Sequence, residues 1–105
     1  MTESDWKIFK EIKQKALETF CELSLATFRE AMDDESTHIH NRYLLNYKLV
    51  QNRDKQLGLL FDGQSRSKAR IQLIAIRGEG LADEELIAKL SEEFRDQTNP
   101  KNHNW

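Results

Sequence analysis

The chain contains few of the residues that interrupt helices and strands or that cross-link a small domain. Its 105 residues include one cysteine, one proline and four glycines. A single cysteine excludes an internal disulfide, and the scarcity of glycine and proline argues against a loop-rich fold. No stretch approaches the roughly 18 apolar residues of a membrane span, and residues 1–10 lack the apolar segment of a signal peptide. We therefore expect a cytoplasmic protein that does not associate with membranes.

Sequence motifs of common catalytic sites are also absent. There is no glycine-rich phosphate loop, no Cys-x-x-Cys, no His-Glu-x-x-His and no Gly-x-Ser-x-Gly. Cys21 lies beside Leu17 and Phe20 on a predicted helix, which favours a small buried thiol over a nucleophile. We therefore expect a protein that is not an enzyme and that uses no cofactor.

The charged residues are sorted into three blocks. Residues 1–35 contain five Lys/Arg and nine Asp/Glu, residues 36–77 contain eight and two, and residues 78–105 contain three and seven. The net charge of −2 therefore conceals a basic middle between acidic ends. Such sorting either holds the helices of a bundle together or presents a basic face to an acidic partner.

Apolar residues spaced by three and four predict an all-α fold with four helices. The first two helices are long enough to form an antiparallel helical hairpin, and two shorter helices pack across it, as in a four-helix bundle. The predicted helices cover residues 4–34, 38–61, 68–77 and 82–95. We expect one domain over residues 1–98, followed by a flexible C-terminal tail over residues 99–105.

The third element is the most ambiguous part of this prediction. Ile71–Ile76 is rich in β-branched residues and is also compatible with a buried strand. In that alternative, Leu57–Phe61 and Arg70–Ile76 form a β-hairpin around Asp62-Gly63. We favour the helix, because no other segment offers a strand for it to pair with.

A basic segment opens the third helix and is the clearest candidate binding site. Arg66, Lys68 and Arg70 lie where free backbone amides of the helix start also favour phosphates or carboxylates. With other basic residues of the central block they are able to form a nucleic-acid-binding face. The alternative is that these bases pair with the acidic first and fourth helices. The other basic residues are Arg42, Lys48, Arg53, Lys55 and Arg77.

Four further side chains are candidates for structural or binding roles. Tyr43 and Tyr47 lie one turn apart on the basic second helix, as in many protein interfaces. Arg53 and Asp54 form a candidate structural polar pair, because Asp54 falls on the apolar line and a charge there needs an arginine partner on another element.

His38 and His40 are weak candidates for metal ligands. Imidazole and the nearby carboxylates suit zinc or similar ions. On a helix, however, residues two positions apart point about 200° away from each other. We therefore expect both histidines to lie at an exposed helix start, with no metal bound.

Residues 71–94 combine a helix, a turn at Gly78-Glu79-Gly80, an apolar residue (Leu81), an acidic helix start and a second short helix. This arrangement resembles the two-helix short C-terminal (SHOCT-like) oligomerisation unit of bacteria. The resemblance covers about a quarter of the chain and implies assembly into oligomers. The chain differs from that unit in the large helical part that precedes residue 71.

The length of the first helix leads to a hypothesis about function. At 1.5 Å per residue it is about 45 Å long, and two short helices cannot cover its whole apolar line. Exposed apolar stripes usually mark interfaces. We therefore expect a non-enzymatic protein-interaction or oligomerisation module, with a homodimer as the first candidate. The alternatives are a nucleic-acid-binding protein and a small metal-binding protein.

Overall fold

The computed structural model describes residues 1–104, which form five α-helices and a terminal 3-10 helix. These residues contain no β-strand, so the predicted all-α fold is confirmed and the alternative β-hairpin is wrong. None of the described helices combines the length and the apolar character needed to cross a membrane. The helices are α1 (Glu3–Asp33), α2 (Ile39–Phe61), α3 (Arg66–Gly78), α4 (Glu84–Ile87) and α5 (Glu92–Gln97), and the 3-10 helix covers Pro100–His103.

Short polar side chains determine where the helices begin. The hydroxyl of Thr2 accepts a hydrogen bond from the Asp5 amide at 3.0 Å, and Ser65 accepts one from the Lys68 amide at 3.3 Å. Both are N-cap interactions, which satisfy amides that have no partner inside the helix. Gly63 has a φ of 75° between α2 and α3, a conformation that other residues rarely adopt.

Contacts between α1 and α2 run in opposite order along the two helices. The Lys13 ammonium donates to the carbonyl of Gly63, and the Phe20 and Phe61 rings lie 5.9 Å apart. Farther along, the Arg42 guanidinium donates to the carbonyl of Met32 at 3.0 Å. Arg42 thus satisfies a free carbonyl in the last turn of α1, where the acidic residues Asp33 and Asp34 oppose the helix dipole.

The hydrophobic core lies at one end of this helix pair. It contains the buried side of α1 only as far as Phe20, while α2 contributes only Phe61. We call residues 21–57 the arm, because within this range only Ser24 is buried. The other core residues are Phe9, Ile12 and Ala16 of α1, Ala69, Leu73 and Ile76 of α3, and Leu81, Leu86, Ile87, Leu90 and Phe94 beyond it.

The prediction of a single helix over residues 82–95 is wrong, because this segment contains two short helices, α4 and α5. Ser91 interrupts the helix with an extended backbone, at φ −59° and ψ 150°. Its hydroxyl caps α5 by accepting from the Phe94 amide at 3.2 Å. Its own amide is therefore free to bond elsewhere, and the acceptor is a carboxylate of α1.

Asp5 is that acceptor, and it is almost completely buried, with 1% of its surface exposed. Its carboxylate accepts from the Ser91 amide at 2.8 Å and from the Ser91 hydroxyl at 2.6 Å. Burial raises the pKa of Asp5, but the hydrogen bonds from Ser91 and Thr2 outweigh it and leave the pKa below its ordinary value of 3.8. Asp5 therefore joins the start of α1 to the start of α5 as a charged acceptor.

Within the predicted tail, the described residues 99–104 include the 3-10 helix, which packs against α3. The Asn102 side chain donates to the carbonyl of Asp96 at 3.1 Å, and His103 lies 2.9 Å from the carbonyl of Gln97. The side chains of residues 101–104 are exposed.

We predict that Asp5→Asn lowers the free energy of unfolding by about 1–3 kcal/mol at pH 7, because a buried charge-assisted pair of hydrogen bonds is lost. Urea denaturation followed by circular dichroism measures this change. Glu11→Gln is the matched control, since Glu11 is an exposed residue of α1 with no hydrogen bond or ion pair among the described residues. Equal stability of the two variants would contradict the role of Asp5.

The lowered pKa of Asp5 leads to a prediction of how the stability of the protein depends on pH. A carboxyl whose pKa is lower in the folded chain than in the unfolded chain stabilises the fold fully when the pH is above its unfolded-state pKa. That stabilisation is lost as the pH falls through its folded-state pKa. The difference in unfolding free energy between the wild type and Asp5→Asn should stay constant from pH 7 to 5 and shrink below about pH 4. A difference that grows on acidification would contradict this assignment.

The tail contains a single 3-10 turn with exposed side chains, which has little local stability. We therefore still predict that it is flexible. Amide hydrogen exchange of residues 99–104 should be at least tenfold faster than exchange in the middle of α3, around Leu73. Equal protection of the two segments would show instead that the 3-10 helix opens only with the core.

Candidate protein-interaction surface

One side of the arm is mainly apolar, although Arg42, Asn46, Arg53 and Asp54 of α2 also line it. Two neighbouring hollows of about 270 and 540 Å³ lie between α1 and α2, and both are lined by Val50. The apolar residues along them follow the three- and four-residue spacing of one helix side on each helix. We call this set the apolar face: Cys21, Leu25, Phe28 and Met32 of α1, and Ile39, Tyr43, Tyr47, Val50 and Leu57 of α2.

The apolar face is open to solvent. Its six most exposed members have exposed fractions between 49% for Val50 and 69% for Tyr43. At these fractions, they expose on the order of 700 Å² together, more than the largest apolar patch of a typical monomer. The other four of these six residues are Leu25, Met32, Ile39 and Tyr47.

The remaining helices lie away from the apolar face. No residue of α3, α4 or α5 lines either of its two hollows. A separate hollow of about 570 Å³ is lined by Leu23 and Leu49 of the arm together with Ala75 and Leu81. α3 and the residues after it therefore approach α1 and α2 at this separate hollow.

Both tyrosines predicted as interface residues belong to the apolar face. The Tyr47 hydroxyl accepts from the Gln51 amide group at 3.1 Å, and the residue is exposed. The sequence analysis predicted an exposed apolar part of α1 but did not identify its residues, although the spacing of Cys21, Leu25, Phe28 and Met32 marks a second stripe beside the buried one. Only the position of the core shows that this second stripe stays uncovered.

The polar pair predicted at Arg53 and Asp54 does not form an ion pair with another element. Asp54 is exposed, and no Lys or Arg of the described residues lies within 4 Å of its carboxylate. Arg53 is half-buried, with its guanidinium 5.7 Å from the centre of the Phe20 ring. Because α2 buries only Phe61, the predicted apolar line at Asp54 is solvated and the charge needs no partner.

The predicted basic segment lies at the core end of the molecule, away from the apolar face. Arg66 forms an ion pair with Glu3, and its guanidinium lies 5.2 Å from the centre of the Trp6 ring. The hydrogen bond with Glu3 raises the pKa of Arg66 and lowers that of the Glu3 carboxyl. Lys68 and Arg70 are exposed and have no ion pair among residues 1–104.

The two predicted metal-ligand candidates lie at the exposed start of α2. His38 is its N-cap residue, and its Nδ1 accepts from the His40 amide at 3.3 Å. Across residues 1–104, no group of three or more His, Cys, Asp or Glu side chains is placed to hold one metal ion. The neighbouring Asp34 carboxylate accepts from Ser36 and Thr37, and the Ser36 hydrogen bonds lower its pKa.

Comparisons with known proteins give no relative for this chain. No family model matches it, and neither the curated proteins nor the solved structures contain a significant match. The SHOCT-like resemblance of residues 71–94 has no support from these comparisons.

Proposed function

We propose that this protein is a non-enzymatic interaction module that forms a homodimer through the apolar face of the α1–α2 hairpin. The observation that carries the proposal is the exposure of Leu25, Met32, Ile39, Tyr43, Tyr47 and Val50 on one side of the arm. Burying such a surface against a second copy removes apolar area from water, which is the main driving force of protein association.

The size of the apolar face supports a specific interface. Stable protein complexes bury about 800 Å² on each partner, close to the exposed area of these six side chains. The half-buried residues between them, Cys21, Phe28 and Leu57, add to it on contact. Two tyrosines near the middle of the face also match the composition of interface centres, where tyrosine is enriched.

The nucleic-acid-binding alternative has less support from the geometry. Of the predicted basic segment, Arg66 is already in contact with Glu3 and Trp6, and of the other basic residues Arg42 donates to a carbonyl in the last turn of α1. Lys68 and Arg70 remain exposed, but they lie two residues apart and so point to different sides of α3. Absence of DNA or RNA binding at 50 mM salt would exclude this alternative.

We predict that light scattering on a sizing column gives about twice the chain mass of 12.4 kDa for the wild type, and the single-chain mass for Val50→Glu. A glutamate at the centre of the apolar face places an unpaired charge in the interface, which costs several kcal/mol of association free energy.

The matched control for this experiment is Leu59→Glu. Leu59 is an exposed residue of α2 that does not belong to the apolar face, so the control should remain a dimer. Circular dichroism of both variants checks that the helices are intact. A monomeric wild type at 100 μM would exclude homodimerisation through this face.

A further inference from the structure

The charged side chains beside the apolar face all belong to α2. Arg42, Arg53 and Asp54 line its two hollows, whereas the α1 residues that line them are apolar residues and Ser24. Asp54 is exposed and has no ion pair among residues 1–104, so water solvates its carboxylate in the single chain. A partner that covers the face removes this water, and a buried charge without a counterion is strongly unfavourable. An occupant of the face must therefore bring a cation to Asp54.

Two copies of the chain can cover the face in two ways. A twofold axis parallel to the arm places α1 of one copy over α2 of the other, with both arms pointing the same way. A twofold axis across the arm places α1 over α1 and α2 over α2, with the arms pointing in opposite directions. Both arrangements are isologous, and both form a four-helix layer from two hairpins.

Only the opposed arrangement places a cation over Asp54. With the arms parallel, Asp54 lies over the uncharged α1 stripe of the other copy. On α2 the apolar face runs from Ile39 to Leu57, so its middle lies near residue 48. Arg42 and Asp54 lie on opposite sides of this middle, each six residues from it, which is about 9 Å. An axis through the middle therefore brings each Asp54 to the level of Arg42 of the other copy.

The α1 stripe is compatible with the same axis. On the apolar face it runs from Cys21 to Met32, so its middle lies between residues 26 and 27. Met32 lies level with Arg42, because the Arg42 guanidinium donates to its carbonyl at 3.0 Å. Each of these two residues is five to six positions from the middle of its own stripe. One axis therefore passes through the middle of both stripes, and it places Leu25 of one copy over Phe28 of the other.

Arg42 retains the donors that this pairing needs. Its Nε and one terminal nitrogen donate to the carbonyls of Thr37 and Met32, at 3.0 Å each. A guanidinium has five N–H groups, so three remain for a carboxylate. The two existing hydrogen bonds hold the group beside the hollow that it lines, which lowers the entropy cost of forming a further contact.

The other arginine beside the face also gains a contact in this orientation. Arg53 and Tyr43 are each five residues from the middle of the α2 stripe, on opposite sides. The axis therefore brings Arg53 of each copy to the level of Tyr43 of the other. Tyr43 is exposed in the single chain, and a guanidinium over its ring forms a favourable cation–π contact.

We propose that the two copies pack with their arms opposed, α2 on α2, and that Asp54 of each copy forms an ion pair with Arg42 of the other. This inference rests on the proposed self-association, and it adds the orientation of the copies and the residues that select it. The apolar face supplies the driving force, while the two ion pairs disfavour the parallel arrangement, which leaves Asp54 unpaired.

Isotope-filtered nuclear Overhauser spectroscopy tests the orientation without changing any residue. The sample is an equal mixture of unlabelled chains and chains with carbon-13 in the isoleucine methyl groups, so that filtered cross-peaks join different copies. In the opposed dimer, the methyl groups of Ile39 show cross-peaks to Leu57 of the other copy. In the parallel dimer they show cross-peaks to Met32 of the other copy instead.

Light scattering on the same sample separates the two possible failures. A dimer in which Ile39 contacts Met32 of the other copy overturns the opposed orientation and leaves homodimerisation through the face in place. A monomer, or a dimer in which Ile39 contacts no residue of the other copy, overturns both proposals. A dimer with contacts between Ile39 and Leu57 supports both.

Removal of one charge tests the ion pair. Asp54→Asn keeps the shape of the side chain, and it should raise the dissociation constant of the dimer about tenfold at low salt, because Arg42 of the other copy loses its counterion. If Asp54 had no partner in the dimer, the same variant would bind more tightly, because an amide is easier to bury than a carboxylate. An unchanged or lower dissociation constant therefore overturns the pairing.

Glu22→Gln is the matched control for Asp54→Asn. Glu22 is an exposed residue of the arm that lines neither hollow of the apolar face. It loses the same charge from the arm, and its dissociation constant should stay within about twofold of the wild type. An equal weakening by both variants would show that the net charge of the arm acts rather than the pair, which overturns the assignment of Asp54.

Discussion

The structure depends on a mismatch between the length of α1 and the size of the core that covers it. α1 has 31 residues, but its buried residues end at Ser24. The segments after α2 are short, and they pack around the first half of α1 and the end of α2. Beyond Ser24, α1 buries no residue, because α2 alone cannot cover both of its apolar sides. The arm and its apolar face follow from this mismatch.

Polar contacts also join the helices at several points. Arg42 donates to a backbone carbonyl in the last turn of α1. Arg66, at the start of α3, forms an ion pair with Glu3, and Lys15 forms one with Asp83 at 3.2 Å. Two of these three contacts join the basic central block to the acidic N-terminal block of the sequence. Apart from the half-buried Arg53, the remaining charged residues of the arm, including Lys48 and Lys55, are exposed and have no ion pair within residues 1–104.

Helix positions could be predicted from the sequence because they depend on local spacing and capping. Thr2 and Ser65 cap the helices that were predicted to follow them, and α3 is a helix in the segment that was also compatible with a strand. The break at Ser91 could not be predicted in this way, since the acceptor of its amide is Asp5, 86 residues away. The spacing of 4, 3 and 4 from Asp5 to Phe9, Ile12 and Ala16 was nevertheless visible, and it marks Asp5 as a buried charge. The same argument failed at Asp54, because burial there depends on tertiary packing that local spacing does not contain.

The hydrogen bonds between Asp5 and Ser91 also affect the order of folding during synthesis. Domains fold as the ribosome releases them, and α1 is complete long before residue 91 has been made. During that interval the Asp5 carboxylate lacks the donors that Ser91 provides, and Phe9, Ile12 and Ala16 lack the part of the core that α4 and α5 contribute. The nascent chain therefore completes its native core only after α5 emerges, and until then part of the apolar side of α1 stays uncovered.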